Sequence, residues 1–484
     1  MSFMSNICPP LGSLAIVIFC GWDIGWKWKD FLAEANAGNI RGRADFFRRF
    51  PGRRLILTRF RIILRSVAFS HSTTRREVFM IRTKWFSSLF MAVLFLTGCV
   101  TESETRLPKD SGTHFVADAV EPYVRTGECP GAISILYKNG VQETACIGWA
   151  DVEKKVPMSL DRMFMQCSQT KGFCGVTIAI LLEEGKLSLD DPVARYLPEF
   201  ENLKVAVKDE KGNTTLVPAK NTLTVRMVMN HTGGFPFEIP SKQKLGWPGL
   251  SLQDAAREAA ANPISFEPGT KAQYSNTGID IGAAIIETIT DKPWDVFLKE
   301  RVLDPLGMKD TTFNPTDEQL ARSISMYEMQ EGKPAKFKLF DKWMPLPHNG
   351  PTVHPSAGAG LWTTAADQLK FYKMLMNLGV GDNGVRILKE ETVKNVLAAS
   401  TRPEGLGTYS LGFWTRADGE TLGHGGAWGT NCTVNWKKRE LTLWVVQNTG
   451  SPRPWMDGWK KATEKFFSAK IDDSEAKAYT GRLK

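Results

Sequence analysis

Strand patterns stand at the two ends of a body of about 360 residues, and helical patterns fill most of what lies between. The first is a hairpin: residues 130–137 and 141–149 flank Asn139-Gly140, the dipeptide that most favours a two-residue turn between antiparallel strands. The last are 409–415, 429–436 and 441–447, followed by an amphipathic helix over 455–467. This order predicts an α/β (α+β) fold. Both chain termini build one antiparallel sheet flanked by helices, and an all-helical second lobe is inserted, with a cleft where the two meet. Helices are expected over 168–184, 223–229, 252–261 behind a Ser251 cap, 276–290, 293–303, 365–378 behind Thr364, and 388–399. The irregular stretch 313–359 is long enough to be a functional loop or small subdomain.

A sequence pI near 9 suggests nucleic acid as a partner, but the charge is not spread along the chain. Residues 1–99 carry 15 Lys/Arg against 5 Asp/Glu, and the rest is balanced at 46 against 47. The body is neutral, so no nucleic-acid partner is expected. With 42% hydrophobic and 23% charged residues, disorder is excluded as well.

Residues 80–99 have the form of a signal peptide: Met80-Ile-Arg-Thr-Lys, an apolar run over 85–96, and Leu96-Thr-Gly-Cys99. That ending resembles the bacterial lipobox, whose cysteine becomes a lipidated N-terminus. The expectation is export and anchoring to a bacterial cell membrane through Cys99. Residues 1–79 then read as an extension from a start codon placed too early, 100–112 as a tether, 113–470 as the catalytic domain and 471–484 as a polar tail. Five cysteines fall in the body, an odd number, so at least one thiol is free. Cys167 and Cys174 lie about 10 Å apart along one helix, too far for a disulfide. No Cys/His spacing suggests a metal, and no cofactor is expected.

Three Ser-x-x-Lys matches occur, at Ser168, Ser241 and Ser474. Ser241 lies in a Pro/Lys-rich loop and Ser474 in a charged tail, where a lysine stays solvated. Ser168 begins a helix that is apolar nearly all round and therefore buried. The i, i+3 spacing sets Ser168 and Lys171 on one face, and partial desolvation there favours a free amine able to take or organise the serine proton. A second element is Tyr274-Ser-Asn276, after a Pro-Gly turn and at the start of another buried helix. A phenol beside a lysine ammonium is expected to favour its phenolate and to shuttle a proton. The third is Gly423-His424-Gly425-Gly426-Ala427, between strand patterns, where glycines suit close approach of a ligand and a backbone N–H can serve an oxyanion. His231-Thr-Gly-Gly234 competes with it and is read as a loop wall.

In this order the three motifs resemble those of the serine β-lactamase and penicillin-binding-protein superfamily, nearest to class C β-lactamase-like serine hydrolases and family VIII esterases. The similarity spans about residues 113–468 and includes Glu184-Gly-Lys-Leu-Ser-Leu-Asp-Asp191, His231-Thr-Gly-Gly-Phe-Pro236, Pro305-Leu-Gly-Met308 and Ala357-Gly-Ala-Gly-Leu361. The resemblance implies a β-lactamase/transpeptidase-like fold. It casts Ser168 as nucleophile, Lys171 as its partner, Tyr274 as general base and later acid, and Asn276 as the amide that orients Lys171 and substrate. The backbone N–H groups of Ser168 and Ala427 would form the oxyanion hole.

Two positions depart from the β-lactamase pattern. Where it has Lys and then Thr or Ser to grip a substrate carboxylate, this chain has His424 and Gly425, a titratable cation at best. Glu238 places a carboxylate where class C enzymes have a substrate-binding glutamine. Both changes favour a neutral small-molecule ester. The alternatives are a β-lactamase or D-alanyl-D-alanine carboxypeptidase-type hydrolase with a peptidoglycan-like substrate, and a lipid-anchored sensor that acylates once without turnover.

Overall fold

The computed structural model describes residues 115–241, 250–336 and 354–469. The expected leader, Cys99, the tether and the polar tail lie outside the described residues, as do Lys244 and the Ser474 motif.

Helix α1 (Val116–Arg125) leads into the hairpin of β1 (Gly131–Lys138) and β2 (Val141–Asp151). Asn139 (φ 48°) and Gly140 (φ 95°) both take the left-handed conformation that the tight turn requires. On its other edge β1 pairs antiparallel with β13 (Glu440–Val445), Ile133 opposite Val445. The sheet continues through β12 (Thr430–Asn435), β11 (Thr421–Gly426) and β10 (Trp414–Thr415), and ends beyond β2 at β3 (Val156–Pro157). The order is β10-β11-β12-β13-β1-β2-β3, so strands from the two ends of the body are neighbours, as expected.

Successive β1 residues face opposite ways. Ala132 and Leu136 pack with Val116, Val120, Trp444, Trp455 and Phe466 beneath α1 and the last helix, while Ile133 and Ile135 join the larger core. Burial on both faces is why the strand reads as an apolar run. The larger core is filled by α2 (Thr170–Glu183), α3 (Val225–Met229), α4 (Leu252–Ala261), α5 (Asn276–Thr290), α6 (Trp294–Leu298) and α7 (Ala365–Met376). The expected caps form: Ser251 accepts from the Asp254 N–H and Thr364 from the Asp367 N–H. Helix α8 (Trp455–Ser468) closes the outer face. Among the described residues no helix is long and apolar enough to cross a membrane.

Several expectations are corrected. The region between the terminal strands is not all helical: it holds the pairs β5 (Lys204–Lys208) with β6 (Thr214–Pro218), and β7 (Tyr327–Gln330) with β8 (Lys333–Lys336), and contributes β4 (Met163–Met165) paired with β9 (Trp362–Thr364). At three to five residues these strands are too short to show a period. Of 409–415 only Trp414–Thr415 is strand, because the Ser410 N–H donates to Phe413 O and closes a turn. Thr421–Gly426, placed between strand patterns in the sequence, pairs with β12 along its whole length; its glycines carry no strand signal. The helix expected over 293–303 gives way to a π-helical turn at Lys299–Leu303, and that over 388–399 to one at Val393–Leu397.

Phe173 on α2 is fully buried and stacks on Phe371 of α7, ring centroids 3.7 Å apart at 13°. Phe173→Ala is expected to cost about 3–5 kcal/mol, the usual range for a buried aromatic truncated to alanine. The check is urea unfolding, with a lowered midpoint and an unchanged slope.

Candidate active site

Cys167, with φ +50°, turns the chain sharply out of β4 and into a 3-10 turn, Cys167–Gln169, that runs straight into α2. The strained residue stands directly before Ser168, which is half-buried while the residues around it are buried. One turn on, Lys171 is fully buried. Its ammonium donates to Ser168 Oγ (3.1 Å), Asn276 Oδ1 (2.5 Å) and Gly358 O (2.6 Å). Those three bonds match its three N–H groups. As a free amine it could keep the two shorter bonds and turn its lone pair to Ser168.

Each acceptor is itself held. Asn276 opens α5 and donates through Nδ2 to Glu238 Oε1 (2.7 Å), which fixes its amide with the oxygen toward Lys171. Glu238 therefore serves the Asn276–Lys171 pair here. One helical turn on, the buried Asp280 carboxylate accepts from the Gly358 N–H (3.0 Å) and from Ser356 Oγ (3.1 Å), with His354 Nε2 at 3.4 Å. A Cβ on residue 358 would lie 2.7 Å from Asn276 Cβ, so only glycine lets that carbonyl reach the lysine.

Tyr274 precedes Ser275, the α5 cap, whose Oγ accepts from the Gly278 N–H and donates to Pro236 O (2.6 Å). Lys171 Nζ lies 4.6 Å from the Tyr274 ring centroid. Burial holds the phenol well above its usual range, against a hydrogen bond from Ser168 that favours the phenolate. The expected phenolate is thus corrected: desolvation outweighs the Ser168 hydrogen bond, and Tyr274 stays a neutral donor. Its hydroxyl lies 3.4 Å from His424 Nε2.

His424 is buried in β11. Its Nδ1 lies 2.6 Å from Gly425 O, and a carbonyl only accepts, so the ring proton sits on Nδ1 and Nε2 is left to receive the Tyr274 O–H. Burial, with Lys171's charge second, pushes its pKa down to about 3 against the opposing Gly425 carbonyl. The expected titratable cation is therefore also corrected, to a neutral imidazole. Gly426 has another reason than close approach of a ligand: a Cβ there would run into Gln166 O and Thr430 Oγ1, so the glycine lets β11 lie against the segment that enters Ser168. The Ala427 and Trp428 N–H groups reach Cys167, whose thiol is pushed up to about 12 by burial against those bonds. His231 is the expected wall, buried between Tyr274 and Tyr409 with both ring centroids at 4.5 Å.

The structure thus brings Ser168, Lys171, Tyr274, Asn276, His424 and Glu238 into one connected cluster and sets Gly425, Gly426 and Ala427 beside it. Sequence reading missed the Gly358 carbonyl, Asp280 and Cys167. A main-chain acceptor has no side-chain signal, although Gly358 lies within the block Ala357–Leu361 already singled out.

The Beta-lactamase family model matches residues 116–464, and the chain belongs to that family. Protein Rv1367c of Mycobacterium tuberculosis is 32% identical over 277 residues, covering 55% of this chain and 67% of that protein. EstCE1, described as a hydrolase with promiscuous acyltransferase activity, superposes with TM-score 0.56 at 21% identity, covering 72% of this chain and 97% of its own. Simvastatin synthase (LovD) from Aspergillus terreus, unliganded as its selenomethionyl derivative, gives 0.61 at 20% identity, covering 73% and 97%. At such identity the two structures share the fold.

A histidine buried neutral must take up a proton when the protein unfolds in acid. His424's contribution to stability is therefore complete above its ordinary value of 6.5 and is lost as pH falls toward 3. Nitrogen-detected NMR should show the His424 ring as the neutral Nδ1–H tautomer from about pH 5.5 to 9, a window that brackets an ordinary histidine. A titration inside that window would contradict the assignment.

Proposed function

We propose that this protein is a serine hydrolase of the class C-like, family VIII esterase branch, and that it hydrolyses neutral carboxylic esters through an acyl-enzyme on Ser168. The observation that carries the ester reading is His424. It stands where the resembling β-lactamases carry the lysine that grips a substrate carboxylate, and it is neutral, with its one N–H given to Gly425. The Lys171 ammonium is spent on Ser168, Asn276 and Gly358. An anionic β-lactam or peptide terminus would lose its usual counter-charge, whereas an ester needs none.

The reacting form is Lys171 as the free amine, its extra proton lost to solvent: in the first half-reaction Ser168 Oγ attacks the ester carbonyl and its proton passes to the lysine lone pair. The N–H groups of Ser168 and Ala427 receive the oxyanion; a thiol sulfur is a weak acceptor, so Ala427 exchanges Cys167 for the stronger partner. Tyr274 gives its proton to the departing alkoxide and regains one from the Lys171 ammonium. Water then attacks the acyl group, its proton taken up by the same pair. Collapse returns a proton to Ser168 and releases the acid.

Ser168→Ala should abolish labelling by a fluorophosphonate, while Ser241→Ala and Ser474→Ala leave it intact; loss in either control would show the wrong motif was chosen. Lys171→Ala and Tyr274→Phe should each lower the rate on the order of 10² or more. On wild type, kcat/KM for a neutral short-chain ester should exceed that for a cephalosporin, and His424→Lys should raise the cephalosporin rate relative to the ester rate. A wild type that prefers the cephalosporin would refute the ester reading.

We propose further that the protein is exported and held to a bacterial membrane by lipid on Cys99, from the Leu96-Thr-Gly-Cys99 pattern. Mass spectrometry of the native N-terminus should find a lipidated Cys99; an unmodified one would refute it.

A further inference from the structure

Few large apolar side chains of the described residues stand out into solvent, and two of those that do are at the catalytic tyrosine. Phe237 is 54% exposed and Trp414 is 46% exposed. Each ring centroid lies 6.2 Å from that of Tyr274, and each ring is close to parallel with it, at 24° and 4°. The three rings form a shelf of common orientation. Neither wall is loosely held. Phe237 O accepts from the N–H groups of Asn276 (2.9 Å) and Thr277 (3.4 Å), which ties its backbone to the helix that Tyr274 precedes. Trp414 is braced by the edge of buried Tyr409, centroids 4.9 Å apart at 89°, and by the Arg402 guanidinium 5.5 Å from its ring.

Exposed aromatic surface held rigid beside a reactive hydroxyl is apolar area ready to be covered by a ligand. The adjoining charges are one of each sign, and the cation is already engaged. Arg402 donates to Asn230 O and Leu406 O and lies over the Tyr409 and Trp414 rings, while the carboxylate of Glu238 follows Phe237 directly.

We propose that Phe237 and Trp414 form a subsite for a flat aromatic group carried on the alcohol portion of the ester. The assignment to the alcohol side rests on the reading of Tyr274 as proton donor to the leaving oxygen, since whatever is bonded to that oxygen must lie beside the Tyr274 ring. A planar ring can stack on either wall while its oxygen stays at the phenol. The two residues determine specificity and take no part in proton transfer.

The test compares benzyl acetate, propyl acetate and methyl phenylacetate. The first two alcohols leave with similar ease, and the third ester moves the ring to the acyl side. For wild type, kcat/KM should favour benzyl acetate. Phe237→Ala and Trp414→Ala should each lower kcat/KM for benzyl acetate on the order of tenfold, mainly through KM, with propyl acetate changed less than about twofold, the scale of one aromatic contact. Trp414→Phe should restore most of the loss. Fluorophosphonate labelling of Ser168 in every variant shows that the catalytic reading stands and the variants are folded. Equal losses on benzyl and propyl acetate, no loss on either, or a loss confined to methyl phenylacetate would each overturn the subsite. Absence of labelling in wild type would instead overturn the hydrolase reading.

Discussion

The site is organised around one buried cation. An ammonium taken out of water is tolerated only where its hydrogen bonds are all supplied. Lys171 finds its three acceptors on three separate pieces of chain: the turn that starts its own helix, the first residue of α5, and the carbonyl of Gly358. Two carboxylates stand behind them, Glu238 on the amide of Asn276 and Asp280 on the N–H of Gly358. The helices and loops around α2 must converge for the lysine to be buried at all, and once they have, Ser168 and Tyr274 are in place beside it.

From that cation a directed series of hydrogen bonds runs outward. Lys171 donates to Ser168, and beyond them Tyr274 donates to His424 and His424 to Gly425. Every step points away from the ammonium, which is consistent with burial keeping both the phenol and the imidazole uncharged. A lysine in place of His424 would put a donor where the structure has an acceptor and would reverse the last steps. The neutral histidine is therefore a change in polarity of the site as well as in charge, and it supports the ester reading proposed above.

Much of this was legible in the sequence because it follows local rules. Asn139-Gly140 announced the hairpin, Ser251 and Thr364 announced their helices, and the apolar girdle of α2 distinguished Ser168 from Ser241 and Ser474. What stayed hidden depends on contacts between distant segments. Gly426 looked like an opening for a ligand and proved to be the point where β11 touches the chain entering Ser168. A neighbouring lysine suggests a phenolate at Tyr274, and residue type alone suggests a titratable cation at His424, whereas the protonation of both is set by the depth of burial, which spacing does not reveal. The strands at Met163–Met165 and Trp362–Thr364 are three residues each and pair across nearly two hundred positions, beyond any periodic signal.

The central claim is that Ser168 carries the acyl group of a neutral ester. Tyr274→Phe protein mixed with excess benzyl acetate, quenched in acid and digested, should yield the Ser168 peptide heavier by one acetyl group, with the modification on Ser168 itself and decaying more slowly than in wild type. Acetyl on another residue, or hydrolysis of the ester with no acetylated peptide in wild type or variant, would contradict the account.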